Sequence, residues 1–205
     1  MRELRILRVL LDWAKDELGC QLKSNPTRKL KVGGASDARA PFITPSQQKS
    51  LLIALDQSRN PNHKRLTQLA LATGMRRSEL LGLRWRDLDL DNKLVHLSRK
   101  DCAATGMQNS QRIVPLSAQA LALFKRYPKT TNKVINLSIG AARHGFSRAR
   151  TIAGLPYLRF HDLRHIAIST MWAEGMNALQ ISAASGHKDL RMLMRYSHYQ
   201  LGHGG

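Results

Sequence analysis

Leu4, Leu7, Leu11, Ala14 and Leu18 recur at spacings of three and four residues, the period of one helical face, so residues 2–18 predict an amphipathic helix with Gly19 as its stop. Over residues 23–41 the periodicity is lost in a basic stretch rich in Ser, Pro and Gly, centred on Gly33 and Gly34, which reads as a linker. Thr44 followed by Pro45, a capping residue before a first-turn proline, opens a second unit. Helical spacing then runs over residues 45–57 and 63–72, breaks at Gly74 and resumes over 77–83. Residues 93–98 and 111–116 predict two strands, joined as a long hairpin by the polar, glycine-containing stretch 99–110. Further helices are predicted over 117–126, 139–153, 161–174, 178–185 and 189–196. The pattern gives a mainly α chain with a small β-hairpin or sheet, an α+β class without internal repeats.

At 205 residues the chain is long enough to bury a core, and 42% hydrophobic content suits a globular protein. No apolar run approaches the roughly 18 residues needed to span a bilayer, and the basic N-terminus lacks the continuous apolar stretch of a signal peptide. Two cysteines, Cys20 and Cys102, provide neither a disulfide framework nor a paired metal motif. A cytoplasmic protein without a membrane partner is expected. Charge changes the picture more. Thirty-three Lys and Arg against 14 acids leave +19, an excess that favours a polyanionic partner and predicts salt-sensitive binding to nucleic acid. An aromatic content of 5% offers few stacking platforms for a general RNA binder.

Three segments carry candidate chemistry: ATGMRRSELLGLRWRDLDL at 72–90, HDLRH at 161–165 and SGHKDLRMLMRY at 185–196. In this order, with the hairpin between the first and second, they closely resemble the tyrosine recombinase family of the phage-integrase type. The resemblance covers about residues 41–198. It implies the DNA breaking-rejoining catalytic fold and these roles: Arg76 and Arg164 as the two catalytic arginines, His161 and His187 as the two active-site histidines, and Tyr196, nine residues beyond His187, as nucleophile. Glu79 fits the acidic position that buttresses Arg76.

The residue types suit that chemistry. Attack on a phosphodiester builds charge on its non-bridging oxygens, which two planar guanidiniums grip with paired donors. A tyrosine nucleophile leaves a covalent phosphotyrosine that keeps the bond energy, so no ATP is required. A phenol, with a reference pKa of about 10, needs a base or nearby cations, roles open to His161 or His187. Because the arginines neutralise the phosphate, no metal and no cofactor are expected.

The resemblance also implies a hairpin lysine that protonates the leaving 5′ oxygen. Counting back from the second strand places it at Met107, and counting forward from the first places it at Lys100. A longer hairpin reconciles the counts on Lys100, whereas Met107 would mean slow or absent cleavage. His161 and His165 share the spacing of a helical zinc pair but lack the associated glutamate and a third ligand, which leaves His165 as a core or supporting residue. Tyr199 lies outside the family spacing for a nucleophile. Met192, Leu193 and Met194 are expected to pack around the tyrosine helix, and Trp85 with Arg84 to close the core.

The expected organisation is residues 1–31 as the last helix of an otherwise missing core-binding domain, 32–40 as linker and 41–205 as the catalytic domain. The implied activity is site-specific recombination of double-stranded DNA through a 3′-phosphotyrosyl intermediate, in integration, excision or inversion of mobile DNA. Family members act as homo-tetramers on DNA, with accessory bending or directionality proteins, at the nucleoid. Two other outcomes remain: a catalytically impaired DNA-binding remnant, and a relaxing enzyme of the type IB topoisomerase kind.

Overall fold

The computed structural model describes residues 2–20, 22–30, 43–97, 112–187, 189–194 and 196. It divides the chain into two compact units, Met1–Arg39 and Ala40–Gly205.

The first unit holds α1 (Arg2–Glu17) and a 3-10 turn, Pro26–Arg28. Asn25 caps that turn and ties it to the helix: its Nδ2 donates to Arg8 O and to Asp12 Oδ1, both at 2.8 Å. Arg28 adds a 3.1 Å ion pair to Asp12. Ile6, Val9, Leu10 and Trp13 each remain more than half exposed. The linker expected over 32–40 lies outside the described residues.

The second unit contains α2 (Pro45–Asp56), α3 (Asn62–Thr73), α4 (Arg77–Gly82), α5 (Ala118–Arg126), α6 (Ile139–Ile152), α7 (Asp162–Ala173), α8 (Ala178–Ser185) and α9 (Arg191–Met194). Most begin as the sequence predicts. Thr44 accepts from Gln47 N while Gln47 Oε1 accepts from Thr44 N, Asn177 and Gln180 repeat this exchange at α8, and the Ser117 and Ser138 hydroxyls cap α5 and α6 by accepting from Ala120 N and Ala141 N. The strands are β1 (Leu88–Asp89), β2 (Leu94–Leu97) and β3 (Arg112–Pro115), in an antiparallel sheet ordered β1-β2-β3, with Val95 opposite both Leu88 and Val114. Val95 and Val114 are fully buried, so this face of the hairpin closes onto the helical core.

The α3 helix is the hub, packed against α2, α4, α5, α6 and α7. Its Leu66, Leu69 and Ala70 enter one large core with Leu51, Leu80, Phe124 and Leu163. A second cluster joins Ile168, Met171 and Trp172 of α7 to Ile181 and Ala184 of α8, Leu193 of α9 and Tyr196. Among the described residues no helix is long and apolar enough to cross a membrane.

Some expectations need correction. β1 was not anticipated, since two residues carry no alternation. Trp85 does pack against the core, but as the start of a 3-10 turn, Trp85–Asp87, with Arg84 bridged to Lys133. The last helix is four residues rather than eight. Asp189 Oδ1 accepts from Arg191 N at 2.9 Å and so delays its start, and Tyr196 N donates to Leu193 O at 2.9 Å, an i,i−3 bond that ends it in a turn. In such a short helix only Leu193 points inward, while Met192 and Met194 are exposed. The hairpin connection, with Lys100, Cys102 and Met107, lies outside the described residues, as does Tyr199.

Leu69→Ala empties a fully enclosed position on α3, whereas Leu179 on α8 is 69% exposed. Urea unfolding is expected to show Leu69→Ala losing about 2–5 kcal/mol and Leu179→Ala less than about 0.5 kcal/mol. Equal losses would contradict the placement of α3 at the centre of the core.

Candidate active site

The site gathers at helix ends. α3 stops at Gly74, whose φ of +63° is the left-handed conformation that glycine adopts without steric cost, and the chain turns sharply into Met75 and Arg76. Thr73 stitches this turn, its hydroxyl donating to Leu69 O at 2.6 Å and accepting from Met75 N at 3.2 Å. Met75 is buried, which pins the loop and leaves Arg76 half-exposed beside it.

Arg76 precedes α4, and Glu79 sits in that helix's first turn, where a carboxylate suits the exposed N–H groups. Glu79 Oε2 accepts from Arg76 N at 2.8 Å, and Oε1 pairs with Arg76 Nη1 at 3.0 Å. The other terminal nitrogen of Arg76 donates to Gly186 O at 3.4 Å. Glu79 Oε2 also pairs with Arg112 Nη2 at 2.9 Å. One carboxylate thus fixes two guanidiniums from different elements.

Arg164 approaches from α7. It is 4% exposed, and its Nη1 donates to Gly74 O at 2.6 Å, so the turn that ends α3 also anchors the second arginine. Desolvation, followed by the nearby Arg76 charge, pushes the Arg164 guanidinium down to about 10, with Glu79 opposing. It stays charged at neutral pH. A buried cation in this setting gains strongly from an incoming anion.

His187 follows the Gly186 turn at the end of α8. Its Nδ1 lies 2.8 Å from Ser185 Oγ and 3.3 Å from Arg164 Nη2. The Ser185 hydroxyl donates to Ile181 O at 2.6 Å, while Arg164 Nη2, which can only donate, faces the same imidazole nitrogen. Ser182 Oγ bonds the His187 carbonyl at 2.7 Å and holds the residue from behind.

Tyr196 is 2% exposed, packed in the cluster of α7, α8 and α9. Its hydroxyl is hydrogen-bonded to His165 Nδ1, and the two rings stack with centroids 5.9 Å apart. His161 is exposed and meets His165 edge-on at 5.0 Å. Among the described residues no group of three or more His, Cys, Asp or Glu is placed to hold a metal.

The sequence-predicted residues Arg76, Arg164 and His187 are therefore brought together, and Tyr196 lies near enough to Arg164 for an ionised phenol to favour the guanidinium's charge. His161 borders the group through His165. Lys100 cannot be placed among them, because it lies outside the described residues. Two neighbours carried no role in the sequence reading. His165, read there as core or supporting, touches the tyrosine hydroxyl itself, and its one-turn spacing from His161 was the available signal. Arg112 was read only as the opening of a strand, and nothing in its local sequence announces an ion pair 33 residues away.

A sequence model of the phage integrase family matches residues 41–203. A shufflon-specific DNA recombinase from Escherichia coli is 33% identical over 206 residues, covering 96% of this chain and 50% of that protein. Tyrosine recombinase XerD of Neisseria meningitidis serogroup B is 28% identical over 193 residues, covering 85% and 64%. The chain thus spans half of the first relative's length and less than two thirds of the second's. Among solved structures, the catalytic domain of bacteriophage HP1 integrase superposes with a TM-score of 0.63 at 27% identity, over 79% of this chain and 89% of that one. A lambda integrase dimer bound to a COC′ core site gives 0.71 at 18% identity, over 95% and 71%, a likeness of fold. With the family model spanning nearly the whole second unit, the chain belongs to the phage integrase family.

Proposed function

We propose that this protein cuts and rejoins double-stranded DNA at specific sites through a 3′-phosphotyrosyl intermediate on Tyr196. The observation that carries the reading is a cluster of two guanidiniums, Arg76 and Arg164, with His187 against them, beside a tyrosine whose hydroxyl rests on an imidazole. The similarity to a shufflon-specific DNA recombinase and to integrases supports a setting in inversion or integration of mobile DNA.

In this reading a DNA phosphate settles on the donors of Arg76 and Arg164, where charge on its non-bridging oxygens is stabilised as attack proceeds. His187 Nε2, protonated, adds a third donor. The Tyr196 proton passes to His165 Nδ1 and the phenoxide oxygen attacks phosphorus, forming the Tyr196–phosphate bond as the bond to the 5′ oxygen breaks. The leaving oxygen takes a proton, a role the family resemblance assigns to Lys100. A 5′ hydroxyl from a second strand reverses the steps and releases Tyr196. With the phosphate's charge met by arginines, the residues themselves supply the electrostatics and no cofactor is invoked. Strand exchange between two duplexes calls for a homo-tetramer on DNA, helped by bending or directionality proteins, at the nucleoid. We read residues 1–31 as the last helix of a DNA-clamping domain, 32–40 as linker and 41–205 as the catalytic domain.

The test uses nicked duplexes that trap the cleaved state, drawn from a randomised core library at low salt and resolved on denaturing gels. The wild-type chain is expected to form a covalent adduct that Tyr196→Phe loses while still binding DNA. An adduct that persists in Tyr196→Phe contradicts the assignment. DNA binding without adduct favours the impaired remnant, and site-independent relaxation of supercoiled plasmid favours the type IB outcome. In the same assay Arg164→Lys, which keeps the charge but loses the planar pair of donors, is expected to slow adduct formation by about 10²–10³-fold. A rate within about threefold of wild type would remove Arg164 from the clamp.

A further inference from the structure

Arg112 opens β3, yet its side chain leaves the sheet and is only 20% exposed. One terminal nitrogen holds Glu79 Oε2 at 2.9 Å. The other reaches Ala184 O at 3.0 Å and Ala183 O at 3.4 Å. These are carbonyls of the last turn of α8, which have no donor within their own helix. A cation there also complements the helix dipole. The next residue, Gly186, has a φ of +74°, and a Cβ at that position would come within 2.2 Å of Arg112 Nη1. The turn that presents His187 is thus built around the Arg112 guanidinium.

Resting on the recombinase reading above, we infer that Arg112 is a positioning residue that sets Arg76 and His187 in register with each other. Its effect on Arg76 acts through Glu79. While Arg112 occupies Oε2, the Arg76 side chain holds only Oε1 and its second terminal nitrogen is turned toward Gly186. Without Arg112 both carboxylate oxygens become available to Arg76, and a two-pronged pair with Glu79 draws its donors away from the phosphate. The effect on His187 acts through the α8 carbonyls: without the cap, the last turn of α8 frays and His187 loses its backing. One side chain thereby couples the first arginine to the second histidine, which lie 111 positions apart in the chain.

The test compares wild type, Arg112→Met and Arg112→Lys. In the absence of DNA, amide hydrogen exchange is expected to show Gly186, whose N–H bonds Ser182 O at 2.6 Å, exchanging about tenfold faster in Arg112→Met while the α3 amides keep their rates. In the trapping assay Arg112→Met is expected to lower the adduct rate by roughly 10- to 100-fold with little change in DNA affinity, the signature of misplacement and not of lost binding. Arg112→Lys, a single point of charge, regains part of the rate. In an Arg76→Lys background the added loss from Arg112→Met shrinks, because part of its action runs through Arg76. Unchanged Gly186 exchange overturns the inference, as does a fully multiplicative loss in the Arg76→Lys background. A wild-type chain that forms no adduct sinks the recombinase reading alone, and the exchange experiment still decides whether Arg112 holds the turn.

Discussion

The site depends on one carboxylate, Glu79, that holds two guanidiniums together beside a third. Arg76, Arg112 and Arg164 converge from three elements, and like charges at such separations repel. Glu79 offsets part of that repulsion and uses both oxygens to do so. Backbone carbonyls of Gly74, Ala183, Ala184 and Gly186 take up some of the other donors. The cluster is therefore preorganised but still electron-poor. Under the proposed function, a phosphodiester would meet donors already in place, the condition under which electrostatic stabilisation of a transition state is largest.

The fold supplies this arrangement by ending helices at the same place. The stop of α3 at Gly74, the start of α4 at Arg77 and the stop of α8 at Ser185 each present polar groups that a helix interior would have consumed. Packing then fixes their spacing. α3 lies against α4 and α7, so Arg76 and Arg164 are set by the core that holds Leu69 and Leu163, while α8 leans on both α7 and β3. Tyr196 belongs to a separate, smaller cluster and is buried there on His165. Its hydroxyl is therefore enclosed, apart from the arginine cluster at the helix ends.

Much of this was legible from residues. Helical spacing and caps such as Thr44-Pro45 located α2, α3, α5, α6, α7 and α8 to within one or two residues, because amphipathic period and cap chemistry are local properties. The three motifs named Arg76, Arg164, His187 and Tyr196, and the structure gathers them. What could not be read were interactions made across the fold. Arg112 looks like any polar residue at a strand end, and only the docking of β3 on α8 gives its charge a purpose. His165 was taken for a supporting residue because its spacing from His161 fixes a shared face without saying what lies opposite. The length of α9 was misjudged because the side chain of Asp189 competes for the amide of Arg191, an effect that periodicity does not contain.

The central claim, that the Glu79 charge assembles a phosphate clamp, is tested most directly by thermal unfolding of wild type and Glu79→Gln with and without inorganic phosphate. The account predicts that Glu79→Gln loses about 1–3 kcal/mol in phosphate-free buffer, since the amide cannot neutralise Arg76 and Arg112. It predicts further that millimolar phosphate stabilises wild type more than Glu79→Gln, because the assembled clamp binds it more tightly, so the gap widens. A variant as stable as wild type without phosphate, or a gap that phosphate does not widen, would contradict it.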